Sequence, residues 1–362
     1  MINVGQREPM TDLVLSHRRR MLDLYTDWIL APNGRVWALS GGSDSQFAQV
    51  PQGMEVLGSY FTELRARLDA RDGASGENAG AGGGEPGVRE YKIGHGGLSW
   101  RVTLLRSSGG WHRMLRYMPE HHWDFRTLGF APGLVDILLD RRLQSGLVVF
   151  TGASCSGKTT SALGYIREML CTGGGHAITL EDPPEQELEG LHGDGYLFQI
   201  ETTRERIPID LELAERYGSP RAILIGELRS GPAVTRALEA GLNGQLIVST
   251  FHASGMIEAL ERMRCLAMET GLSERASNDL MARSIAAVVY QRLLPKSEPQ
   301  QKQQMAGIPR ARRRMALSVN ALLLAQPWAS HAVRAQVGTG QFHLLVTEME
   351  SQARMLGFPP PC

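Results

Sequence analysis

The segment GASCSGKTT at residues 152–160 constrains the fold of this chain more than any other part of it. It satisfies every position of the phosphate-loop pattern G-x-x-x-x-G-K-S/T. An apolar run at 146–150 leads into it, and sequence compatible with a helix follows it. A strand, a glycine-bounded loop and a helix N-terminus form a phosphate site, because backbone N–H groups converge on the anion and the helix dipole favours negative charge. The segment therefore predicts a nucleotide site, and a chance glycine-rich turn is the weaker interpretation.

The side chains of this predicted loop have separate expected roles. Lys158 is expected to reach the β and γ phosphates, and the hydroxyl of Thr159 is expected to ligate Mg²⁺. Cys155 stands at a variable position, where we interpret it as a small filling residue and not as a redox switch. The residues predicted to bind the nucleotide are Gly152, Ala153, Ser154, Cys155, Ser156, Gly157, Lys158, Thr159 and Thr160.

Composition narrows the class of protein. The length of 362 residues allows two domains. Lys and Arg total 38, as do Asp and Glu, so the net charge gives no indication of a nucleic-acid-binding protein. None of the 4 cysteines forms a C-x-x-C pair, which argues against a zinc cluster and predicts reduced thiols in a cytoplasmic protein. No signal peptide and no membrane span are expected, because the apolar runs are too short for either.

Residues 1–118 predict a small α+β domain. Apolar residues cluster in several short strand-like segments, and one segment has helical spacing. The stretch RDGASGENAGAGGGEPG at 71–87 is too rich in glycine to pack and predicts a mobile loop inside this domain. The predicted elements are strands at 28–30 and 36–39, a helix at 54–68, and a hairpin of strands at 98–106 and 111–118.

Residues 119–133, with their prolines and glycines, predict a linker, and residues 134–294 predict the second domain. Apolar strands alternate there with helices, which is typical of a parallel sheet covered on both faces. Functional side chains of such sheets lie at the carboxyl ends of the strands. Residues 295–362 predict a helical extension that begins with a polar loop at 295–307. The predicted strands are 146–152, 177–182, 221–227 and 245–253, and the predicted helices include 134–143, 233–242, 257–268, 278–294 and 341–356.

Chemically useful side chains follow three of these strands. Glu181 ends the second strand, where a carboxylate can hold Mg²⁺ or orient water, and where an acidic surface turn is an equal alternative. Glu227 ends the third strand, and a buried carboxylate there is costly unless it meets a cation or a donor. His252 ends the fourth strand, where it can sense a γ-phosphate or be structural. Thr159, Glu181 and Glu227 are the candidate Mg²⁺ ligands.

Four arginines lie close together in the predicted hairpin of the first domain, at Arg101, Arg106, Arg113 and Arg116. A guanidinium that reaches a nucleotide held by another domain or subunit stabilises charge during phosphoryl transfer. Each arginine taken singly fits a solvated surface. As a group they provide candidate fingers, and Arg101, Arg106 and Arg116 are the ones we name.

Four motifs together resemble those of the secretion ATPase superfamily, the motors of type II secretion, type IV pili and type IV secretion. GASCSGKTT matches the Walker A loop, Glu181 to Glu185 the acidic box, Ile223 to Glu227 an atypical Walker B segment ending in Gly–Glu, and Gly244 to His252 the histidine box. The resemblance covers residues 22–295. The segment HASGMIEALERM and the long C-terminal tail are most similar to the pilus-retraction and the type IVB or conjugative-transfer branches.

The resemblance implies an architecture. It implies an α/β fold with a RecA-like phosphate-loop core, a PAS-like α+β N-terminal domain and a helical C-terminal extension. In the segment LMARSIAAVVYQRLLP, where apolar spacing alone predicts one helix, the resemblance implies a helix followed by a strand. It further implies a homohexamer that binds ATP and Mg²⁺ between the domains of its subunits.

The resemblance also implies an activity, the hydrolysis of ATP to ADP and phosphate. Glu227 would activate water, Glu181 would position metal or water, and His252 would sense the nucleotide. The implied partners are inner-membrane platform or secretion-complex proteins, through which a cytoplasmic motor would lie at the inner membrane. Nucleic acid is not an expected partner.

Some residues depart from the family pattern. Ser230 stands where the family usually has Asp, Gln245 where it has His, and LELAERYGSPRA replaces an arginine-rich helix. These departures concern turnover rate and subunit contacts more than nucleotide binding. Two other functions stay open: an ATP-binding assembly regulator with little hydrolysis, and a nucleic-acid translocase on the same core, against which the neutral net charge weighs.

Overall fold

The computed structural model describes residues 27–33, 35–39, 47–49, 55–74, 88–108, 110–118, 124–295 and 315–357. The chain divides into two compact units. The first unit contains the described residues up to 118, and the second contains those from 124 onward. Within these ranges no helix is both long enough and apolar enough to cross a bilayer.

The first unit is an antiparallel sheet with one helix packed against it. Its described elements are β1 (Asp27–Leu30), β2 (Val36–Leu39), α1 (Glu55–Ala74), β3 (Phe47–Gln49), β4 (Val88–His95), β5 (Leu98–Ser107) and β6 (Gly110–Met118). The strand order is β3-β2-β1-β6-β5-β4. The hairpin predicted from the sequence corresponds to β5 and β6, which pair from Ser99 opposite Met118 to Ser107 opposite Gly110.

Alternation along β5 explains how this sheet acquires a core. Trp100 and Val102 are fully buried, whereas Arg101 and Thr103 between them are partly exposed, as the two-residue period of a strand requires. The helix α1 covers the buried face, and the hydroxyl of Tyr60 accepts a hydrogen bond from Trp100 Nε1 at 2.6 Å. The opposite face of the sheet therefore carries the polar side chains.

The second unit is an eight-stranded sheet with helices on both faces. Its strands are β7 (Gly146–Gly152), β8 (Gly175–Glu181), β9 (Gly190–His192), β10 (Gly195–Glu201), β11 (Ala222–Ile225), β12 (Leu246–His252), β13 (Ile285–Pro295) and β14 (Met315–Leu323). Its helices are α2 (Pro132–Leu138), α3 (Lys158–Gly173), α4 (Ile207–Glu215), α5 (Gly231–Leu242), α6 (Met256–Met268), α7 (Glu274–Ser284), α8 (His331–Gly338) and α9 (Leu345–Leu356). The strand order is β14-β13-β7-β12-β11-β8-β10-β9.

The centre of this sheet is parallel and buried. The strands β13, β7, β12, β11, β8 and β10 pair in parallel, and every residue of β7 is buried. Successive residues of β7 belong to different apolar clusters: Leu147 and Val149 pack on one face of the sheet, and Val148 and Phe150 pack on the other. This two-sided burial is the reason that the strands read as continuous apolar runs in the sequence.

The segment 285–295 forms the strand β13, so the helix predicted to run through 294 from apolar spacing was wrong in its second half. The strand lies between β7 and β14, and residues 285–289 are all buried. A continuous apolar run cannot be assigned to helix or strand by periodicity alone. Pairing with strands distant in sequence decided it, and the result is the helix and strand that the family resemblance implied.

The strands that were not predicted, β3, β4, β9, β10 and β14, lie at or next to the edges of the two sheets. Edge strands bury less apolar surface, so their sequence signal is weaker. Part of the segment predicted as a linker packs in the second unit, where Phe125 and Phe130 are buried. The predicted loop at 71–87 begins within α1, and its residues 75–87, like 119–123 and 296–314, lie outside the described residues.

A buried glutamine of α9 bonds the backbone of the edge strand β14, which gives a test of the fold. Gln352 is 3% exposed, accepts from Leu323 N at 2.7 Å and donates to Leu323 O at 3.1 Å. Gln352→Met should lower the free energy of unfolding by about 1–3 kcal/mol, because it leaves a buried backbone N–H without a partner. Chemical denaturation measures this, with the exposed Gln144→Met as a control that should change little; equal stability of the two variants would contradict the assignment.

Candidate nucleotide-binding site

The loop of residues 153–157 joins the carboxyl end of β7 to the start of α3. Lys158 is the first residue of α3 and is only 7% exposed. Its Nζ donates to the carbonyl oxygens of Gly152 at 2.9 Å and Ala153 at 2.7 Å. Burial lowers the pKa of Lys158, and the carboxylate of Glu227 opposes that shift. The ammonium is thus held against the loop and within the field of a carboxylate.

The backbone of the loop changes handedness at two positions. Cys155 has φ of 58° and Gly157 has φ of 84°, on either side of the buried Ser156. A left-handed conformation costs a residue other than glycine about 1–2 kcal/mol. Successive N–H groups in such a turn form a concave anion site, to which the unpaired N–H groups of the first turn of α3 add. The local geometry is therefore that of a phosphate cradle.

The carboxyl ends of three further strands lie at the same edge of the sheet as this loop. The strand β12 neighbours β7, β11 neighbours β12, and β8 neighbours β11. His252 is in register with Gly152, the first residue of the loop motif. Glu227 follows β11, and Glu181 is the last residue of β8. The parallel order thus brings together, at one edge, groups that lie up to a hundred residues apart in the chain.

Glu181 is the most deeply buried carboxylate at this edge. It is 2% exposed, and its Oε1 accepts a hydrogen bond from Gln199 Nε2 at 2.8 Å. Burial raises the pKa of Glu181, and the hydrogen bond from Gln199 opposes the rise. Asp182, the next residue, is exposed and accepts from Arg204 N at 3.0 Å. The two carboxylates of the acidic turn therefore differ, because one is enclosed in the protein and the other caps a loop at the surface.

Glu227 is held by an arginine two residues along the chain. Arg229 Nε donates to Glu227 Oε2 at 2.7 Å, and Arg229 Nη2 lies 2.5 Å from the same oxygen. The hydrogen bond to Glu227 raises the pKa of Arg229 further. Arg204 in turn donates to the carbonyl of Arg229 at 2.7 Å. The arginine fixes one oxygen of the Glu227 carboxylate, whose side chain is 20% exposed.

His252 lies in a cationic part of this edge. Burial lowers its pKa, and the charges of Lys158, Arg229 and Arg262 lower it further, whereas Glu227 raises it. The imidazole is therefore neutral at physiological pH, when it offers one N–H donor and one acceptor. A neutral donor near a lysine and a carboxylate can hydrogen-bond a phosphate oxygen without adding charge.

Oxygen ligands that suit Mg²⁺ are available beside the loop. Thr159 is partly buried in the first turn of α3, and Glu181 and Glu227 end neighbouring strands. In the part of the chain that the structure describes, no group of three or more His, Cys, Asp or Glu side chains is placed to hold a metal. Mg²⁺ in nucleotide sites takes one or two protein ligands and completes its shell with phosphates and water. The residues present fit a Mg²⁺ of that kind.

The sequence matches the model of the family described as Type II/IV secretion system protein over residues 88–353. The chain belongs to this family. The resemblance to secretion ATPases that the four motifs indicated is thereby confirmed. Among curated relatives, the type II secretion system protein E of Klebsiella pneumoniae is 30% identical over 230 residues, which are 61% of this chain and 42% of that protein. The chain thus spans about two fifths of the length of this relative and of the putative type II secretion system protein E of Escherichia coli.

Two solved structures share the fold of this family member over almost its whole length. The pilus retraction motor PilT with bound ADP has a TM-score of 0.65 at 20% identity, covering 95% of this chain and 90% of that one. The ATPase DotB of Legionella pneumophila also has a TM-score of 0.65 at 20% identity, covering 98% of this chain and 93% of that one. These likenesses confirm the predicted fold class.

The candidate finger arginines do not share one face of the first unit. Arg101 and Arg116 are cross-strand neighbours, paired with Glu90 at 2.6 Å and with Asp27 at 2.8 Å. Arg106 lies an odd number of residues along β5 from Arg101, hence on the opposite face, with its guanidinium 5.9 Å from the centre of the Trp111 ring. Among the three, Arg101 and Arg116 form a pair on the face away from α1.

Sequence reasoning missed the polar residues that hold the site together. Gln199 binds Glu181, Arg229 binds Glu227, and Gln291 donates to the loop carbonyl of Ser156. Gln199 and Gln291 lie in or beside strands that the apolar pattern did not predict. A signal existed for Arg229, which follows the Gly–Glu pair in the Walker B segment. The others could be found only after the strand order was known.

The close approach of β13 to the loop gives a test of this geometry. A Cβ at Gly152, where φ is 153°, would lie 2.3 Å from the carbonyl oxygen of Gln291. Gly152→Ala should therefore lower the free energy of unfolding by more than about 3 kcal/mol. Gly244→Ala, at a φ of 103° with nothing within 4 Å, should cost only about 1–2 kcal/mol. Thermal denaturation compares the two, and a milder effect at Gly152 would show that β13 does not press on the loop.

Proposed function

We propose that this chain is an ATPase which, as a homohexamer, powers a type IV secretion, conjugative-transfer or type IV pilus machine. The observation that carries the proposal is the meeting of a phosphate cradle with Glu181, Glu227 and His252 at one sheet edge, in a member of the Type II/IV secretion system protein family. The PilT structure contains ADP, and DotB is described as an ATPase. Both facts support adenine nucleotide as the ligand.

Binding would depend on the loop and the start of α3. The N–H groups of residues 153–160 would donate to the phosphates, and Lys158 would turn its ammonium from the loop carbonyls toward the β and γ phosphates. The hydroxyl of Thr159 would ligate Mg²⁺, with Glu181 or Glu227 contributing through water. Bound Mg²⁺ would neutralise charge on the β and γ phosphates.

Hydrolysis would depend on the carboxylates of the neighbouring strands. Glu227 would accept a hydrogen bond from the attacking water through the oxygen that Arg229 does not hold, which orients the water for in-line attack on the γ-phosphate. Glu181, held by Gln199, would fix a second water or the metal. The neutral imidazole of His252, next to Gly152, would bond a phosphate oxygen and respond when that phosphate leaves.

Charge on the transferred phosphoryl group would be stabilised by arginines of the first unit. Arg101 and Arg116 are the candidates we favour, since they are adjacent on one face of the sheet. Their ion pairs with Glu90 and Asp27 are at the surface, where such pairs contribute little to stability and can be exchanged for a phosphate.

The assembly and its location are proposed on the basis of the family. We propose that the subunits form a cytoplasmic ring, peripheral at the inner membrane, which contacts platform or secretion-complex proteins. Domain closure on the nucleotide would be the displacement passed to them. The matched segment is only 42% of the Klebsiella protein, so the partners of that protein are not transferred to this chain. The partners and the machine are proposed from the site of this chain and from its family.

Two substitutions separate binding from turnover. Lys158→Ala should lower kcat/KM for ATP by ~100-fold or more, because it removes the charge that contacts the phosphates. Glu227→Gln should lower kcat by ~100-fold or more while ADP affinity stays within a few-fold of wild type, because only water activation is lost. Phosphate release and ADP titration calorimetry measure the two effects, with the exposed Glu212→Gln as the matched control.

Phosphate release, measured with and without DNA, also distinguishes the proposed function from the two alternatives. An ATP-binding regulator would show no phosphate release that Glu227→Gln could reduce. A nucleic-acid translocase would show turnover stimulated by DNA and lost at high salt.

The arginine assignment has its own test. The double variant Arg101→Ala, Arg116→Ala should lower kcat by ~1,000-fold without changing the melting temperature by more than a few degrees, since exposed ion pairs are weak. Arg106→Ala, on the other face, should retain turnover within a few-fold. A double variant as active as wild type would exclude both arginines as fingers.

A further inference from the structure

Gln291 is a fully buried polar residue that the proposed chemistry does not use. It lies on β13, one residue beyond Tyr290, which is paired with Thr151 of β7. Its Nε2 donates to the carbonyl oxygen of Ser156 at 2.7 Å, a bond between residues 135 positions apart. Its Oε1 is buried without a hydrogen-bond partner among the described residues. The NH₂ group of this amide is therefore the part that is hydrogen-bonded, and its partner is the phosphate loop.

The same residue lies close to the backbone of the loop motif at three points. Its carbonyl oxygen would lie 2.3 Å from a Cβ at Gly152, and its Nε2 would lie 3.3 Å from a Cβ at Gly157. Its hydrogen bond to Ser156 falls between these two contacts. The loop conformation needs such support, because Cys155 is left-handed at φ of 58° and strained backbone persists only where its surroundings determine it.

Peptide geometry gives this bond a functional consequence. In a planar trans peptide the C=O of one residue and the N–H of the next point in opposite directions. A donor on β13 that holds the carbonyl of Ser156 therefore aims the N–H of Gly157 away from β13. Without that donor the Ser156 carbonyl, which belongs to a residue only 4% exposed, would lose its partner, and rotation of the peptide would misdirect the N–H.

We propose that Gln291 is a positioning residue for the phosphate loop, which pre-organises the Ser156–Gly157 peptide so that its N–H is available to a phosphate oxygen. This inference rests on the proposed function, since it concerns how the same site binds nucleotide. Gln291 does not touch the nucleotide itself. It acts through the loop. Because the loop is already ordered in the folded protein, nucleotide binding does not have to supply the free energy of ordering it.

A second buried glutamine provides the matched control. Gln352 is buried to a similar degree and also bonds backbone groups of another element, but those groups belong to Leu323 on β14 and not to the loop. Gln291→Met and Gln352→Met remove the same amide and keep a similar shape and volume. A merely structural role for Gln291 predicts that the two variants behave alike in every assay.

The experiment measures loop order and nucleotide affinity separately in the full chain. Hydrogen–deuterium exchange without nucleotide should show faster exchange in residues 153–158 of Gln291→Met by ~10-fold, with no such change in Gln352→Met. The Kd for ADP should rise by ~10-fold or more in Gln291→Met and stay within twofold of wild type in Gln352→Met, although both melt at lower temperature. The Kd is measured well below the melting temperature of either variant.

The possible results are distinct. If wild type binds no ADP, the proposed function fails, and exchange in residues 153–158 still decides whether Gln291 orders the loop. Loop exchange and ADP affinity in Gln291→Met that match those of Gln352→Met would overturn the inference. If Gln291→Met does not fold, Gln291→Leu replaces it in the same two assays, because it also removes the donor to Ser156.

Discussion

Parallel pairing around β7 is the constraint on which the rest of the second unit depends. β12 pairs with it on one side and β13 on the other, and β7 as well as residues 246–251 of β12 and 285–289 of β13 are buried. A parallel register places the carboxyl ends of strands at one edge, so the loop after β7 and His252 at the end of β12 meet without any local sequence signal. The same pairing brings the buried Gln291 of β13 against the loop from the other side. A change in the register of any of these strands would separate the groups.

The edge of the sheet concentrates charges that would be costly to bury singly. Lys158 is buried, and the negative charge of Glu227 acts on its ammonium group. Glu181 is also buried, and its carboxylate accepts a hydrogen bond from Gln199. Burial acts on these groups in opposite directions, because it lowers the pKa of the lysine and raises that of the glutamate. Perturbed ionisable groups that converge on a phosphate cradle are typical of a catalytic site. These groups are the physical reason for proposing phosphoryl-transfer chemistry in this member of the family.

The two units contribute different kinds of evidence. In the second unit, motif, burial and hydrogen bonds point to one site, so each proposed role rests on a named group. In the first unit the arginines are paired with acidic residues of their own sheet, as Arg101 is with Glu90 and Arg116 with Asp27. Arg106 lies on the opposite face of the sheet from these two, because side chains alternate between the faces along β5 and β5 is a strand throughout. Likeness to PilT and DotB at 20% identity supports the architecture, and the chemistry is argued from the residues of this chain.

The sequence by itself determined the elements whose signal is local. The phosphate loop is set by its glycines and Lys158, and the central strands by apolar runs such as AILI of β11, which can be recognised without knowing their neighbours. Only the tertiary structure decided the rest. β13 became a strand because β7 and β14 supply its hydrogen bonds, and Glu181 and Gln291 acquired hydrogen-bond partners on other elements of the fold. Pairing between distant segments produces no hydrophobic periodicity in either segment. The hydrogen bond from Gln291 to the phosphate loop can therefore be recognised only in the folded molecule.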